Sequence, residues 1–124
     1  MTDDGKMIRN ETLLHQILTN TTGVPSLRVL FIPSIGSVTN AFIRKEYIFA
    51  DLDVLVDGYR EEKVQTNNFI LYINANGGIN NCPTNPNLSN FRGNAVLVQV
   101  DDQHRICNLN PRITITEYRS ILKN

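Results

Sequence analysis

The hydrophobic residues of this chain follow a helical spacing near the N-terminus and a strand-like spacing over most of the remaining sequence. Near the start, four apolar positions lie on one face of a helix: Leu13, Leu14, Ile17 and Leu18. This spacing predicts an amphipathic helix over about residues 10–20, with Asn10 as its N-cap. We expect the polar residues 1–9 to form a flexible tail.

Beyond the helix, short runs of β-branched, aromatic and aliphatic residues alternate with turn-forming residues, as is typical of strands. We expect strands over 27–32, 69–74, 95–100, 105–109 and 113–116. The segment 41–56 contains no proline or glycine, and it predicts one bent strand or two strands broken near Ala50–Asp51. Asp57–Gly58 is typical of a hairpin turn, so residues 60–63 are expected to begin a returning strand. Residues 118–122 are expected to form a closing helical turn.

One helix and six or seven short strands, joined mostly by tight turns, indicate a β-rich α+β fold. We expect the N-terminal helix to pack on an antiparallel sheet or on a small barrel of these strands. The alternation of strands and helices that a parallel sheet requires is not seen in the pattern. A chain of 124 residues can form its own hydrophobic core, and we expect a single domain over 10–124.

Residues 64–91 contain no charged side chain, although charged residues make up 19% of the chain. At that frequency, a segment of this length would hold roughly five charges. Its first part is the predicted strand 69–74, and the remainder belongs to an Asn-, Gly- and Pro-rich loop over about 74–93. Loops this long inside a compact domain tend to be functional or disordered.

Residues 74–91 of this loop, called the uncharged loop below, have a composition typical of a protein interface, because interface cores are depleted in charge. Asparagine can bond to a partner's backbone without the desolvation penalty of an ion. We therefore expect the loop to contact a partner protein through the following residues: Asn74, Asn76, Ile79, Asn80, Asn81, Asn85, Asn87 and Phe91.

Twelve basic and twelve acidic residues give the chain no net charge at pH 7. This balance disfavours a general electrostatic attraction to nucleic acid or to anionic membranes. No apolar run approaches the roughly 20 residues of a membrane-spanning helix, and the N-terminus lacks a secretory signal pattern. We expect an intracellular protein, in the cytoplasm, the nucleus or a virus particle, in which Cys82 and Cys107 are free thiols.

A small OB-like or Sm-like barrel that binds nucleic acid is the second hypothesis. Such domains stack bases on aromatic side chains and place basic side chains on phosphates. The residues best suited to these roles are Tyr72, Arg92, Arg105 and Arg112. Further aromatic residues available for stacking are Tyr47, Phe49, Tyr59, Phe69 and Phe91. The absence of a Lys/Arg cluster from the sequence ranks this hypothesis second.

A metal-dependent enzyme is the third hypothesis. Asp51, Asp53 and Asp57 would share one face of the strand predicted over 41–56, and clustered carboxylates can hold a divalent cation. The same residues would equally serve as the acidic outer face of an edge strand.

Nucleophilic catalysis would need a base such as His104, oriented by Asp101 or Asp102, beside the thiol of Cys82 or Cys107. The sequence spacing does not bring such groups together, and it indicates neither an enzyme nor a cofactor. The first hypothesis is therefore a non-enzymatic interaction or assembly subunit that binds a protein partner or itself. It would suit a structural component of a larger complex such as a virus particle.

Overall fold

The computed structural model describes residues 12–66, 68–77, 82–88, 91–113 and 118. The predicted tail 1–9 lies outside the described residues, as do most of the predicted strand 113–116 and most of the predicted turn 118–122. Within the described ranges, no helix is long and apolar enough to cross a lipid bilayer.

Two α-helices accompany the sheet in the described part of the chain. Helix α1 covers 12–19, in agreement with the prediction, and helix α2 covers Ile48–Val56 after a single 3-10 turn over Lys45–Tyr47. The strands are β1 (Ser26–Ile32), β2 (Thr39–Arg44), β3 (Arg60–Gln65), β4 (Phe69–Asn74), β5 (Ala95–Val100) and β6 (Ile106–Cys107).

The strands form one antiparallel sheet in the order β2-β1-β5-β4-β3. Two strands share one side of β5: β1 pairs with its first residues, and β6 pairs with its last residues. Because β2 and β3 are separate outer strands, the sheet is open. The predicted β-rich α+β fold with an antiparallel sheet is confirmed, and the sheet does not close into a barrel.

The segment 41–56 is not the strand that its β-branched and aromatic residues predict. β2 ends at Arg44, and the chain then turns into α2. The side chains of α2 that pack on the sheet follow the helical period: Ile48, Leu52, Leu55 and Val56. Burial of this apolar face outweighs the local strand preference, which is weak and depends on context.

Asp57 and Gly58 terminate α2 and do not form the predicted hairpin turn. Asp57 adopts the left-handed conformation, with φ 58° and ψ 49°. Its N–H donates to the carbonyl of Val54, and the N–H of Gly58 donates to the carbonyl of Asp53. These two bonds form a Schellman motif, which satisfies carbonyls at the end of the helix. The chain then enters β3, which confirms the strand predicted after Gly58.

Both faces of the sheet are covered, but by different kinds of structure. On one face, α1 and α2 pack on β-strand side chains that include Val29, Ile43 and Val98. α2 contacts β2, β5, β4 and β3, and so crosses the sheet from one outer strand to the other. This helical face contains the first hydrophobic core.

The opposite face is covered by chain segments that have little regular structure. Side chains of the sheet there include Leu30, Leu71 and Leu97, and a second hydrophobic core forms where irregular segments pack on them. The covering side chains come from the uncharged loop and from the C-terminal part of the chain: Leu88, Phe91, Leu109, Ile113 and Tyr118. The described residues Leu88 and Phe91 of the loop therefore form part of a covering layer on this face.

The guanidinium group of Arg28 fastens the C-terminal segment to the sheet. Nε donates to Oδ1 of Asn40 at 3.0 Å, and Nη2 donates to the carbonyl of Ile113 at 2.7 Å. Nη1 donates to the carbonyls of Leu109 and Asn110 at 3.2 and 3.1 Å. One side chain thus joins β1, β2 and the segment that follows β6.

Truncation of Leu88 to alanine should destabilise the protein, because this loop side chain is 6% exposed and packs in the second core. We expect the free energy of unfolding to fall by about 2–4 kcal/mol, measured by urea denaturation. Ile35→Ala is the matched control, since Ile35 also lies in a loop but is 79% exposed. Its effect should stay within about 0.5 kcal/mol. Equal effects of the two substitutions would contradict the packing of the loop on the sheet.

Candidate functional site

A groove of about 780 Å³ opens on the helical face of the sheet, between α2, β3, β4 and the turn that joins β5 to β6. The buried side chains of Ile70 and Tyr72 and the partly buried Ile106 line it. Phe49 and Tyr59 line it as well, and they are 50% and 76% exposed. Apolar surface and exposed aromatic rings are therefore adjacent in this groove.

Arg60 is held beside the exposed rings by two contacts. Its guanidinium carbon lies 4.3 Å from the centre of the Phe49 ring, a cation–π contact. Its Nη1 donates to Oδ1 of Asp53 at 3.0 Å. Because Asp53 and Phe49 both belong to α2, these contacts also join α2 to the start of β3.

The turn between β5 and β6 forms another wall of the groove and is organised by Asp101. The Oδ1 atom of Asp101 accepts hydrogen bonds from the backbone N–H groups of Gln103 and Arg105, both at 2.9 Å. His104 adopts a left-handed backbone conformation, with φ 63°, and its N–H donates to the Asp101 carbonyl. His104 and Arg105 are thereby presented to the groove.

The charges around the groove largely offset one another. Arg60 pairs with Asp53, and Arg105 pairs with Asp101 at 3.3 Å. Glu62 lies near the Tyr72 phenol: burial in the first place, and the charge of Glu62 in the second, raise the pKa of Tyr72 above its ordinary value. The groove thus presents polar groups but little net charge.

The residues of the nucleic-acid hypothesis are only partly brought together. Tyr72 and Arg105 both line the groove. Arg92 instead forms an isolated β-bridge with Thr84, and the N–H of Arg112 donates to the side chain of Asn110 beyond β6. Phe49 and Tyr59, which the sequence also offers for stacking, do lie at the groove.

The first asparagine predicted to bind a partner, Asn74, is buried and has an internal role. Its Nδ2 donates to the carbonyls of Val56 and Asp57, each at 3.0 Å. Its Oδ1 accepts the N–H of Asn76 at 2.8 Å. Asn74 therefore holds the C-terminus of α2 on the end of β4.

Asn85 and Asn87 have equivalent roles on the opposite face. Asn85 is buried, and its Nδ2 donates to the carbonyls of Ile32 and Gly93 at 3.0 Å each. Its Oδ1 accepts the N–H of Asn87, and Nδ2 of Asn87 donates to the carbonyl of Pro33 at 3.1 Å. These amides bond to the backbone of their own chain.

Of the remaining predicted partner-binding residues, Phe91 packs inside the fold, whereas three others lie outside the described residues. The side chain of Phe91 packs in the second core with that of Leu88, so these two loop side chains face the sheet. Ile79, Asn80 and Asn81 lie outside the described residues, and partner binding by them stays a prediction.

The three aspartates of the metal hypothesis do not share a strand face. Asp51 and Asp53 lie in α2, and Asp57 is its left-handed C-cap. The buried carboxylate of Asp51 accepts bonds from Arg44 N–H, Nε and Nη2 at 2.8, 3.1 and 2.7 Å, while Asp53 pairs with Arg60. Among the described residues, no three His, Cys, Asp or Glu side chains are grouped to hold a metal ion.

The two cysteines are free thiols at different ends of the sheet. Cys82 lies near Gly93, before β5 begins, whereas His104 follows the end of β5. Sγ of Cys107 lies 3.6 Å from the Gln99 carbonyl, and burial followed by the charge of Asp101 raises the pKa of this thiol. A raised pKa disfavours the nucleophilic thiolate.

No family model matches this chain, and searches of curated proteins and of solved structures found no match either.

Sequence reasoning did not identify Ile48, Arg60 or Glu62 as parts of a site. The helical spacing of the apolar residues in α2 was the available signal, because a helix there brings Phe49 over the sheet next to β3. The charged start of β3 resembles an ordinary solvent-facing strand.

Asp51→Asn should destabilise the fold, because it weakens three hydrogen bonds of a buried carboxylate. We expect a loss of about 2–4 kcal/mol in the free energy of unfolding by urea denaturation. Asp53→Asn, which weakens the partly exposed pair with Arg60, is the control and should cost less than about 1 kcal/mol. If the free energy of unfolding fell equally in both variants, a larger stabilising role for the buried Asp51 pair than for the Asp53 pair would be contradicted.

The turn between β5 and β6 should loosen in acid. The hydrogen bond from the Arg105 N–H is the main cause that lowers the pKa of Asp101. The ionised Asp101 carboxylate therefore stabilises the folded turn at pH values above its ordinary pKa. This stabilisation is lost as the pH falls through the lowered pKa. We expect hydrogen-exchange protection of the Arg105 amide to fall over that acidic range. In Asp101→Ala, the Arg105 amide should show low protection at every pH. In Asp102→Ala, its protection should depend on pH as it does in the unmodified protein. If protection of this amide in the unmodified protein did not change with pH, the role of Asp101 would be refuted.

Proposed function

We propose that this protein is a non-enzymatic interaction domain, an assembly subunit whose groove on the helical face binds a segment of a partner protein. The observation that supports this most directly is that buried apolar side chains and exposed aromatic rings line the same groove. Phe49 and Tyr59 are large apolar side chains with half or more of their surface in water. Aromatic residues are enriched at protein interfaces, where they supply much of the binding energy.

The chemistry of the groove favours an uncharged or weakly charged segment with an aromatic or aliphatic anchor side chain. Ile70, Tyr72 and Ile106 offer the anchor an apolar surface. Polar backbone groups of the segment can bond to Arg105 and His104 at the exposed turn. The segment would cover Phe49 and Tyr59 and remove their rings from water.

The charge pattern favours a protein segment over a nucleic acid. A polyanion is held by several basic groups that release its counterions. Here Arg60 and Arg105 are already paired with aspartates, and Glu62 adds a negative charge. The groove therefore lacks the excess positive charge that a phosphate backbone requires.

The groove on the helical face, and not the uncharged loop, is then the expected contact surface. The loop composition has an intramolecular explanation, because Leu88 and Phe91 pack on the sheet and Asn85 bonds to the backbone. Membership of a larger particle, such as a virus, stays a prediction.

Phe49→Ala tests the proposal when compared with Tyr47→Ala. Both rings are half exposed, at 50% and 51%, and both contact an arginine, but of the two only Phe49 lines the groove. Peptides selected from a random phage-displayed library against the unmodified protein should bind Phe49→Ala roughly 10- to 30-fold more weakly. Tyr47→Ala should bind them normally, as measured by fluorescence anisotropy.

NMR shift mapping with the same peptides identifies the surface used. Changes at Tyr59, His104 and Arg105 are expected. Failure to select any peptide, or peptides that shift residues 82–88 and leave the groove unchanged, would refute the proposed site. Tight binding of labelled oligothymidine at low salt, lost in Arg105→Ala, would favour the nucleic-acid function in its place.

A further inference from the structure

The two outer strands of the sheet differ in how they are protected from pairing with another strand. β3 begins with Arg60, Glu61, Glu62 and Lys63, and its register with β4 shifts after Glu62. Charged residues and bulges are common devices that prevent association at a sheet edge. In β2, the residues Thr39–Ile43 are uncharged, contain no proline, and pair with β1 in continuous register.

The backbone geometry shows which groups β2 presents outward. In an antiparallel pair, hydrogen-bonded residue pairs alternate with non-bonded ones. The N–H of Lys45 donates to the Pro25 carbonyl, so residue 45 belongs to a bonded pair, as do residues 43 and 41 of β2. The N–H and C=O groups of Asn40, Phe42 and Arg44 therefore face away from β1. The N–H of Arg44 meets the Asp51 carboxylate at 2.8 Å. Among the described strands, none adjoins this side of β2.

We propose that β2 pairs with β2 of a second copy of this chain, antiparallel and about a two-fold axis at Ala41. In this register, Asn40 of each copy exchanges both backbone hydrogen bonds with Phe42 of the other. The bond between Arg44 and Asp51 is preserved, because Arg44 takes no part. β2 contributes no residue to the groove, so pairing at this edge is independent of the function proposed for the groove.

A second copy fits this edge because the edge is self-complementary. The axis at Ala41 places the uncharged residues Thr39–Ile43 of one copy opposite the same residues of the other, so no like charges meet. The chain has no net charge at pH 7, and two copies therefore approach without long-range repulsion. Such an isologous contact closes as a dimer whose two sheets are continuous.

Proline substitution at Phe42 removes the outward N–H but no bond to β1, because residue 42 does not exchange hydrogen bonds with its neighbour Arg28. Proline is tolerated in an outer strand when its missing N–H faces outward. Phe42→Thr is the matched control, since it also removes the ring but keeps the N–H.

Light scattering after size-exclusion chromatography should show the unmodified protein approaching twice the 14.0 kDa of one chain as its concentration rises. Phe42→Pro should raise the dissociation constant roughly 10- to 100-fold relative to Phe42→Thr, which corresponds to one bond lost on each side of the axis. Circular dichroism checks that both variants fold.

Hydrogen exchange on the unmodified protein keeps the proposal testable if Phe42→Pro does not fold. Protection of the Asn40 and Phe42 amides should rise with protein concentration. A mass of one chain at all concentrations would overturn the proposal. Equal dimer dissociation constants for Phe42→Pro and Phe42→Thr would also overturn it. So would exchange rates of the Asn40 and Phe42 amides that do not change with protein concentration. Loss of peptide binding at the groove with an intact dimer would instead refute only the function proposed above.

Discussion

The central strands β1, β5 and β4 are apolar on both faces, and the need to keep both faces from water governs the rest of the structure. Residues 95–98 of β5 and residues 70–74 of β4 are buried throughout. The two short helices cover one face. The chain covers the other with the uncharged loop and the C-terminal segment. The side chains of this cover that pack on the sheet are uncharged, because an unpaired charge buried there would carry a large free-energy cost, whereas Arg92 and Arg112 are exposed.

The described part of this cover has little regular structure, so its backbone polar groups lack the partners that a helix or strand provides. Asparagine supplies such partners, since one side-chain amide can donate to carbonyls and accept from an N–H nearby. Asn85 does this between the loop and β1, and Asn74 does it at the end of α2. In the described ranges, no buried side-chain nitrogen or oxygen lacks a hydrogen-bond partner.

The parts of the fold that could be predicted from sequence are those determined by local pattern. The apolar runs of β4 and β5 and the helical spacing of α1 identify their elements directly. α2 could not be recognised from propensity, because Ile48, Phe49 and Val54 prefer strands and its helical form depends on packing across four strands. The groove depends on topology: Phe49, Tyr59 and Arg105 come together only because α2 crosses the sheet and the turn after β5 ends beside it.

The bonds of Arg28 also bear on how the protein reaches its native state. The carbonyls that it holds belong to Leu109, Asn110 and Ile113, residues 81 to 85 positions later in the chain. Contacts between such distant residues close large loops and form slowly. During synthesis, β1 leaves the ribosome long before these partners are made, so the second face of the sheet stays incompletely covered until residues 109–113 have been added. Until then, the nascent protein displays an apolar sheet surface of the kind that chaperones recognise and that aggregates when unprotected.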